Sequence, residues 1–358
     1  MGGRPSRKPR ALPSTVVRST THILPLHRVS NEEIAERLIE GSADRIGEAD
    51  RTHIRARARD IRRKTGLVER RFFGPDESPV DVAYAALRHL LDRARAPWSS
   101  LDGIIVSSSS IHGFPGVSQQ VVAKARSDHP DLGNPFVLDI GSNACTSFMY
   151  GVGIAQSLIA AQGYRHVACI AVEFSSRCIE YSTAAFGTST LFGDAVAGLL
   201  LAPEGAGPAR LASVRMTSWI DAERIRHIRG AGTAACNPAA TVPDVERWYM
   251  SGPPVAIGAI EILTSEVRRY QEAGVRVDWL IPHQANLTRI LYPACDTLGI
   301  PRERLCASFE RTGNTSSASI PLLLDELRAS GRAKPGDNVV LVGFGASFSV
   351  GSALLVVA

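Results

Sequence analysis

Two segments of this sequence, residues 192–202 and 348–358, repeat one pattern: a phenylalanine, then small residues, then an apolar run. A series of alternating helical and strand patterns precedes each segment. This repetition indicates that one βαβαβαββ unit occurs twice, with a boundary near residues 202–215. Strands that alternate with helices form parallel sheets covered on both faces, so the predicted fold class is α/β with an internal duplication.

The spacing of apolar residues predicts the individual elements of both series. Helices are expected at 80–94, 117–125, 146–161, 255–272, 286–298 and 316–329. Strands are expected at 101–107, 135–140, 166–172, 192–202, 277–281, 338–342 and 348–357. The chain then divides into an N-terminal extension with the first strand region (1–44), an N-terminal half (45–208) and a C-terminal half (209–358).

Composition excludes several classes of protein. With 44% hydrophobic and 21% charged residues in 358, the chain is too apolar to be disordered. Its apolar stretches are too short to span a bilayer, and its basic N-terminus lacks the apolar core of a secretory signal, so we expect a cytoplasmic protein with no membrane partner. The six cysteines show no CxxC pair and no framework spacing, which favours free, buried thiols.

The one cluster of charge lies at residues 45–71, with ten Lys or Arg against four acidic residues. It is interpreted either as a solvated helix face or as a rim that binds an anionic partner such as a phosphopantetheine, a nucleotide or an acidic carrier protein. A nucleic-acid-binding or interaction protein is the alternative from another class. No zinc finger, RNP-type motif or helix-turn-helix pattern accompanies the charge, so we expect no nucleic acid partner.

Cys145 is the first candidate for chemistry. It lies in DIGSNACTSFMYGVG, where a predicted buried strand turns into a helix that begins close to the thiol. Unpaired N–H groups and the dipole at a helix start favour a thiolate, and the same N–H groups can bind an oxyanion. A nucleophile and a purely structural cysteine both fit this position.

Two further loops of the same kind carry His283 and Asn314. His283 follows the predicted strand 277–281, at the end of a parallel strand where ligands collect, although a capping or core histidine also fits. Asn314 enters a small-residue helix and by itself fits an N-cap.

Taken together, these loops closely resemble the 3-ketoacyl-acyl-carrier-protein synthase III (KAS III) group of the thiolase-like condensing enzymes. The motifs that carry the resemblance are PHQAN at 282–286, GNTSSASIP at 313–321, LFGDAVAG at 191–198 and GFGASFSVGSALL at 343–355. The resemblance covers the chain from about residue 65 onward. It implies a duplicated thiolase-like five-layered αβαβα fold, a homodimer, and a Cys145, His283 and Asn314 triad.

The resemblance also implies a reaction. Cys145 would take the acyl group of a thioester, with the N–H groups of Cys145 and Ala346 as the oxyanion hole. His283 and Asn314 would bind a malonyl-type thioester, stabilise its enolate after decarboxylation and allow a carbon–carbon bond to form. Phosphopantetheine thioesters, on acyl carrier protein or coenzyme A, would be substrates, with no bound cofactor and no metal. Some related proteins transfer acyl groups to a hydroxyl or amine without condensation, but Asn314 favours condensation over the Asp often found in them.

Substrate-binding roles follow from the same match, each beside a plainer alternative. Phe114 would reach across the dimer, or be an ordinary core aromatic. Thr188, Leu191 and Phe192 would line the acyl tunnel, or simply pack. Arg289 would bind the phosphopantetheine phosphate, or be an exposed helix arginine. The remaining residues predicted at this site are Asn286, Phe344 and Gly345.

The sequence departs from the group where its members hold coenzyme A. Asp60 stands where a tryptophan is usual, Phe186 where an arginine is usual, and Lys64 replaces another arginine. An aromatic and a cationic contact to the nucleotide are therefore missing from their usual places. This favours a specialised condensing enzyme over one that starts ordinary fatty acid synthesis from coenzyme A.

Overall fold

The structure is a computed structural model that describes residues 14–358 except 112, 184, 206, 222, 225–226, 230–247 and 346–347. Its α-helices are α1 Asn31–Glu40, α2 Glu48–Arg59, α3 Ile61–Thr65, α4 Pro79–Ala94, α5 Val117–Asp128, α6 Ser147–Gln162, α7 Phe186–Ser189, α8 Gly252–Glu272, α9 Tyr292–Leu298, α10 Phe309–Thr312 and α11 Ser319–Ala329. A π-helical turn, Leu287–Leu291, leads into α9, and 3-10 turns precede α6 (Ala144–Thr146) and α11 (Ser316–Ala318).

The strands are β1 Thr15–Ile23, β2 His27–Ser30, β3 Glu69–Phe72, β4 Leu101–Ser107, β5 Phe136–Ile140, β6 His166–Glu173, β7 Ala195–Pro203, β8 Ala209–Ser218, β9 Ile228–Arg229, β10 Tyr249–Met250, β11 Trp279–Pro282, β12 Asn338–Phe344 and β13 Ser349–Val357. Nine of them form one sheet in the order β11-β12-β13-β8-β1-β7-β6-β4-β5. The antiparallel pair β1–β8 lies at the centre of the sheet, with β7 antiparallel beside β1 and β13 antiparallel beside β8. Beyond β7 and β13, the outer strands of each half run parallel to one another. The repeated segments of the sequence thus supply β7 and β13, at equivalent places in the two half-sheets. The domain bounds themselves stay a prediction.

The helices form three layers around the two half-sheets. Helices α6 and α11 each contact strands of both half-sheets, so they form a middle layer. Helices α4 and α5 cover the outside of the first half-sheet, and α8 covers the outside of the second. The result is the five-layered αβαβα order. It brings the starts of α6 and α11, and with them the Cys145 and Asn314 loops, into the centre of the molecule.

The helix α6 with its preceding turn, Ala144–Gln162, is the one described helix whose length and composition would allow it to cross a membrane. It packs against β4, β6, β8 and β13. A middle-layer helix covered by sheets on both sides must be apolar all round, so its composition is explained by its place in the fold.

Most predicted elements lie within a few residues of their expected bounds, and the differences have local causes. The strand expected from residue 192 begins at Ala195. Ahead of it the Asp194 carboxylate accepts hydrogen bonds from the backbone N–H groups of Phe73 (2.9 Å) and Ser176 (2.8 Å). The Gly193 N–H donates to the Asn314 carbonyl oxygen (3.0 Å). Residues 192–194 therefore form a turn outside the strand, and this turn is hydrogen-bonded to the Asn314 loop.

Candidate active site

Cys145 lies in the short turn between β5 and α6, as predicted, and Ala144 before it has a positive φ of 47°. The thiol is free and half-buried. The expected effect of the helix start on the thiol is outweighed by burial, which raises the pKa of Cys145 to about 12, while the Ser316 hydroxyl opposes that rise. The thiol is therefore protonated at neutral pH, and its activation requires a proton acceptor.

Ser316 joins the three predicted triad residues. Its Oγ lies 3.5 Å from Cys145 Sγ, and its backbone N–H donates to Asn314 Oδ1 (2.8 Å). Its carbonyl oxygen lies 2.8 Å from Ser319 Oγ, and that hydroxyl is 2.9 Å from His283 Nδ1. The structure thus brings Cys145, His283 and Asn314 into one hydrogen-bonded cluster through two serines of the GNTSSASIP motif.

His283 follows β11, where its N–H donates to the Val342 carbonyl oxygen (2.8 Å). The side chain is 2% exposed, and the Phe344 ring meets it edge-on at 5.0 Å. Burial lowers the pKa of His283 to about 3, so the imidazole is neutral at physiological pH. The Ser319 hydroxyl has a single hydrogen, which it can give to His283 Nδ1 or to the Ser316 carbonyl, and this choice sets the tautomer of the ring.

Asn314 is fixed on both sides. Its backbone N–H donates to the Leu191 carbonyl oxygen (2.8 Å), and its side-chain oxygen is occupied by the Ser316 N–H. Within the described part of the chain neither Asn314 Nδ2 nor His283 Nε2 has a hydrogen-bond partner. Both nitrogen atoms are therefore available to a substrate.

Gly345 lies directly against the Cys145 turn. A Cβ at this position would come 2.3 Å from the Asn143 carbonyl oxygen and 2.8 Å from the Thr146 nitrogen, so only glycine fits. This close approach carries the chain after β12 past the start of α6. Ala346, the other predicted oxyanion donor, lies outside the described residues.

The predicted tunnel residues cluster beside the Asn314 loop. Phe192 is 6% exposed, forms a β-bridge with Asn314 and meets the Trp248 ring edge-on at 4.9 Å. Thr188 is buried in α7, and Leu191, whose carbonyl holds Asn314, is half-buried. The predicted tunnel residues therefore lie next to the loop that carries the Asn314 side-chain amide.

Three other predicted residues lie towards the surface. Asn286 caps the turn that follows His283, with its side chain accepting from the Arg289 N–H (3.0 Å). Arg289 is exposed and forms no ion pair with any described residue. Phe114 is fully exposed at 104% of its reference area, which excludes the alternative of an ordinary core aromatic within one chain.

The arginine-rich segment folds as α2, α3 and β3. Arg57, Arg59, Arg62 and Arg63 are exposed. Arg70, in contrast, is fully buried, and its guanidinium donates to the backbone carbonyl oxygens of Val29 and Thr190 and to the side-chain oxygen of Asn31. The basic rim therefore ends at Lys64, because Arg70 belongs to the interior and Arg71 is half-buried and donates to the Pro25 carbonyl oxygen.

Glu173, which none of the sequence motifs indicates, is fully buried at the end of β6. Its carboxylate accepts hydrogen bonds from Ser109, Ser110 and Ser317. The available signal was the serine runs at 107–110 and 316–317, which are unusual next to predicted buried strands and supply the hydroxyls of this cluster. Of the other cysteines, Cys169, Cys295 and Cys306 are buried, Cys178 is half-buried and Cys236 lies outside the described residues.

Comparison with known proteins bears on this site. The C-terminal sequence model of 3-oxoacyl-[acyl-carrier-protein] synthase III matches residues 271–357, and the companion model of the same enzyme matches residues 138–219. A beta-ketoacyl-[acyl-carrier-protein] synthase III of Symbiobacterium thermophilum is 33% identical over 304 residues, which are 82% of this chain and 88% of that protein. The chain belongs to the 3-oxoacyl-[acyl-carrier-protein] synthase III family. A relative of that name from Alkalilimnicola ehrlichii is 31% identical over 297 residues, 82% of this chain and 89% of the relative.

Solved structures agree with this membership of the synthase III family. The synthase III of Pseudomonas aeruginosa superposes with a TM-score of 0.77 at 27% identity, covering 96% of this chain and 98% of that chain. The priming beta-ketosynthase of a polyketide biosynthetic pathway gives a TM-score of 0.79 at 26% identity and covers 99% of both chains. OleA of Xanthomonas campestris gives 0.80 at 20% identity over 97% of this chain and all of that one, which supports the fold alone. The predicted thiolase-like fold is confirmed, and the chain is an acyltransferase of the condensing class.

Proposed function

We propose that Cys145, His283 and Asn314 form the triad of a decarboxylating ketosynthase. The observation that carries the proposal is the position of Ser316, whose hydroxyl, N–H and carbonyl groups link to all three residues within 3.5 Å per step. A nucleophile and two nitrogen donors are then held in one buried cluster, which is the arrangement that two-step acyl transfer to carbon requires.

In the first step the Cys145 thiolate attacks the carbonyl carbon of an acyl thioester. The oxyanion that forms is stabilised by the N–H groups of Cys145 and Ala346. Collapse of the tetrahedral intermediate expels the carrier thiolate and leaves the acyl group on Cys145. The acyl chain extends along Thr188, Leu191 and Phe192.

In the second step His283 Nε2 and Asn314 Nδ2 donate to the thioester carbonyl of a malonyl-type unit. This requires the tautomer in which Nε2 carries the hydrogen and the Ser319 hydroxyl donates to Nδ1. Loss of carbon dioxide leaves an enolate whose charge the two donors stabilise. The enolate carbon attacks the acyl-cysteine, which releases a 3-ketoacyl thioester and regenerates Cys145. Neither step uses a metal or a bound cofactor.

Acyl transfer without condensation is the second candidate. It needs only the acyl-enzyme and an acceptor hydroxyl or amine, so an amide donor next to His283 would have no enolate to stabilise. Asn314 Nδ2, which bonds to no other described residue, favours condensation. Similarity to a priming beta-ketosynthase over 99% of the chain supports a role in specialised metabolism, with the acyl group joined to a malonyl-type or 3-ketoacyl extender.

An acyl carrier protein is the proposed partner. Arg59 and Arg62 on α2 and α3 are exposed and form no ion pair with the described residues, so they are available to an acidic partner. Arg289, exposed after the Asn286 cap, is suited to the phosphopantetheine phosphate. We also propose a cytoplasmic location, where acyl carrier proteins and acyl thioesters would reach the site.

A homodimer is the proposed assembly. The strand β5 is the edge of the nine-stranded sheet, and its sequence FVLDI leaves apolar side chains half-exposed along unpaired backbone groups. An apolar edge of this kind pairs readily with a second copy. Phe114, fully exposed, would then be covered by the partner and line its acyl site.

Intact-protein mass spectrometry after incubation with a panel of acyl thioesters tests the proposed function. A stable mass increase equal to one acyl group, followed by its loss and release of a 3-ketoacyl thioester on addition of a malonyl thioester, is the expected result. Acyl-enzyme that discharges to a hydroxyl or amine acceptor, and not to malonyl thioester, would support plain acyl transfer instead.

A further inference from the structure

Glu173 is a buried carboxylate with no cation beside it among the described residues. The side chain is 0% exposed at the end of β6 and forms no ion pair with a Lys, Arg or His in the described ranges. Three serines hold it: Ser109 through its N–H (3.1 Å) and hydroxyl (3.0 Å), Ser110 through its hydroxyl (2.9 Å), and Ser317 through both its N–H (3.3 Å) and its hydroxyl. A buried carboxylate is expensive to keep without a counter-charge, which calls for an explanation beyond packing.

A continuous row of hydroxyls connects this carboxylate to the nucleophile. Ser109 Oγ lies 3.0 Å from Glu173 Oε2 and 2.7 Å from Ser316 Oγ. Ser316 Oγ in turn lies 3.5 Å from Cys145 Sγ. The row brings together β4, β6, the start of α11 and the start of α6, so no single motif contains it.

Each hydroxyl can donate only once, so the row can run in either of two directions. When Glu173 is ionised, Ser109 donates to it, Ser316 donates to Ser109, and the Cys145 thiol donates to Ser316. When Glu173 is protonated, every bond reverses and Ser316 donates to a Cys145 thiolate. The row therefore has two self-consistent states, which differ by the transfer of one proton from sulfur to carboxylate.

We propose that Glu173 accepts the proton of the Cys145 thiol through Ser316 and Ser109 when the nucleophile is activated. The S–H proton moves to Ser316, the Ser316 proton to Ser109 and the Ser109 proton to Glu173, so three O–H or S–H bonds break and three O–H bonds form. Charge moves from carboxylate to sulfur and the total stays at one negative charge. Glu173 acts through the serines as a positioning residue, and the inference rests on the proposed role of Cys145 as nucleophile.

The surroundings favour this acceptor over His283. His283 Nδ1 is engaged with Ser319, and burial that lowers its pKa makes it a poor base. Burial raises the pKa of Glu173, so its carboxylate binds a proton more readily than a carboxylate in water does, and burial raises the pKa of Cys145 as well. Of the described titratable groups, Cys145 interacts electrostatically with Glu173, whose negative charge helps to raise the pKa of the thiol, and the Cys178 thiol donates to the Ser110 carbonyl oxygen. Asp102 on β4 and His166 and Cys169 on β6 have no hydrogen bond or ion pair with Glu173 among the described residues.

Proton transfer within the site has a signature in the pH dependence of thiol alkylation. The reactive state, thiolate with protonated Glu173, carries the same number of protons as the resting state. Its population, and hence the alkylation rate, does not change with pH between the two apparent pKa values of the coupled pair. A thiol that loses its proton to solvent instead gains reactivity about tenfold per pH unit below its pKa.

The test measures the rate of iodoacetamide alkylation of Cys145 from pH 6 to pH 9 by peptide mass spectrometry, in the full chain. Glu173→Gln keeps the shape of the buried group and removes its basicity. Ser316→Gly interrupts the row without touching Glu173, and glycine suits the positive φ of 47° at this position. Ser317→Ala is the matched control, because Ser317 donates to Glu173 and lies outside the row.

We expect the alkylation rate of the unaltered protein to show a plateau that does not change with pH. In both Glu173→Gln and Ser316→Gly the rate should rise with pH, and near pH 7 it should be about a hundredfold lower than in the unaltered protein. Ser317→Ala should keep the plateau, with its acidic edge at higher pH, because one donor that stabilises the carboxylate is lost. A rising line in the unaltered protein, or a plateau that persists in both variants, overturns the relay. Failure of the proposed function is read separately, as absence of acyl-enzyme in the thioester incubation.

Discussion

The guanidinium of Arg57 lies over the ring of Phe186, with its carbon 3.7 Å from the ring centroid. Arg57 belongs to α2 and Phe186 begins α7, the position where relatives of this family are expected to carry a nucleotide-binding arginine. The neighbouring Asp60, at the expected tryptophan position, is occupied by ion pairs with Arg63 and Lys64 (3.1 Å each). The side chains available to hold an adenine thus stack on or pair with each other.

This arrangement predicts that acyl groups arrive on a carrier protein. Coenzyme A would have to separate Arg57 from Phe186, whereas a carrier protein needs no adenine contact. Acylation should therefore be faster from an acyl-carrier protein than from the same acyl group on coenzyme A at equal concentration, and the advantage should shrink as salt rises, because salt screens exposed charges. Equal rates that do not respond to salt would return the protein to coenzyme A as donor.

A pair of charge-reversal variants identifies the surface involved. Arg62→Glu removes an exposed cation that has no ion-pair partner among the described residues, and it should slow acylation from carrier protein several-fold at low salt. Arg268→Glu makes the same change of charge on α8, which is remote from the rim in sequence, and should leave both donors unaffected. An equal effect of the two variants would show a response to net charge and not to this surface.

Cys145→Ala tests the acylation site. The substitution removes one sulfur atom from a half-buried position, so the fold should persist while covalent acyl labelling disappears. Cys178→Ala is the control, since Cys178 is the other half-buried described thiol and should be labelled poorly if at all. Labelling that survives in the Cys145 variant and maps to another cysteine would contradict the assignment.

His283→Ala and Asn314→Ala separate acylation from condensation. Each removes a nitrogen donor needed only when enolate charge develops, so acyl-enzyme should form in both while decarboxylation of malonyl thioester falls about a hundredfold or more. Because burial lowers the pKa of His283 to about 3, the imidazole stays neutral above that value and should add no limb to the pH profile between pH 5 and pH 8. Normal release of carbon dioxide by either variant would point to simple acyl transfer.

The fold was largely predictable because apolar periodicity follows from burial on each face of an element. A strand was expected within residues 1–44, but the place of β1 in the middle of the sheet was not predictable, since its Ser19, Thr20 and Thr21 look like loop residues and yet are buried. Their hydroxyls find distant partners: Ser19 donates to the Leu90 carbonyl oxygen and Thr20 to Asp325. A polar strand can occupy the middle of a sheet when such long-range hydrogen bonds exist, and one sequence does not show them.

The candidate site was predictable to the same extent and for a similar reason. The loops with Cys145, His283 and Asn314 could be found because each begins a helix after a strand. The expected thiolate could not be judged, because burial at the centre of five layers outweighs the helix start. Glu173 ends β6 and Ser109 follows the neighbouring strand β4, and the pairing of these strands is set by the whole sheet.

Ser319, in the GNTSSASIP motif, lies with its Oγ 2.9 Å from His283 Nδ1. Its hydroxyl should set the imidazole tautomer by donating to Nδ1, which leaves the hydrogen on Nε2 for the substrate carbonyl. Ser319→Ala should form acyl-enzyme at the normal rate and decarboxylate malonyl thioester about tenfold or more slowly. Without the Ser319 hydroxyl the ring hydrogen can move to Nδ1, and Nε2 then no longer donates to the enolate oxygen in the transition state. Two-bond ¹⁵N–¹H correlation spectra of the histidines, with His283→Asn to assign the signal among the nine, report the tautomer directly. A spectrum of the unaltered protein with the hydrogen on Nδ1, or unchanged decarboxylation in Ser319→Ala, would contradict this role.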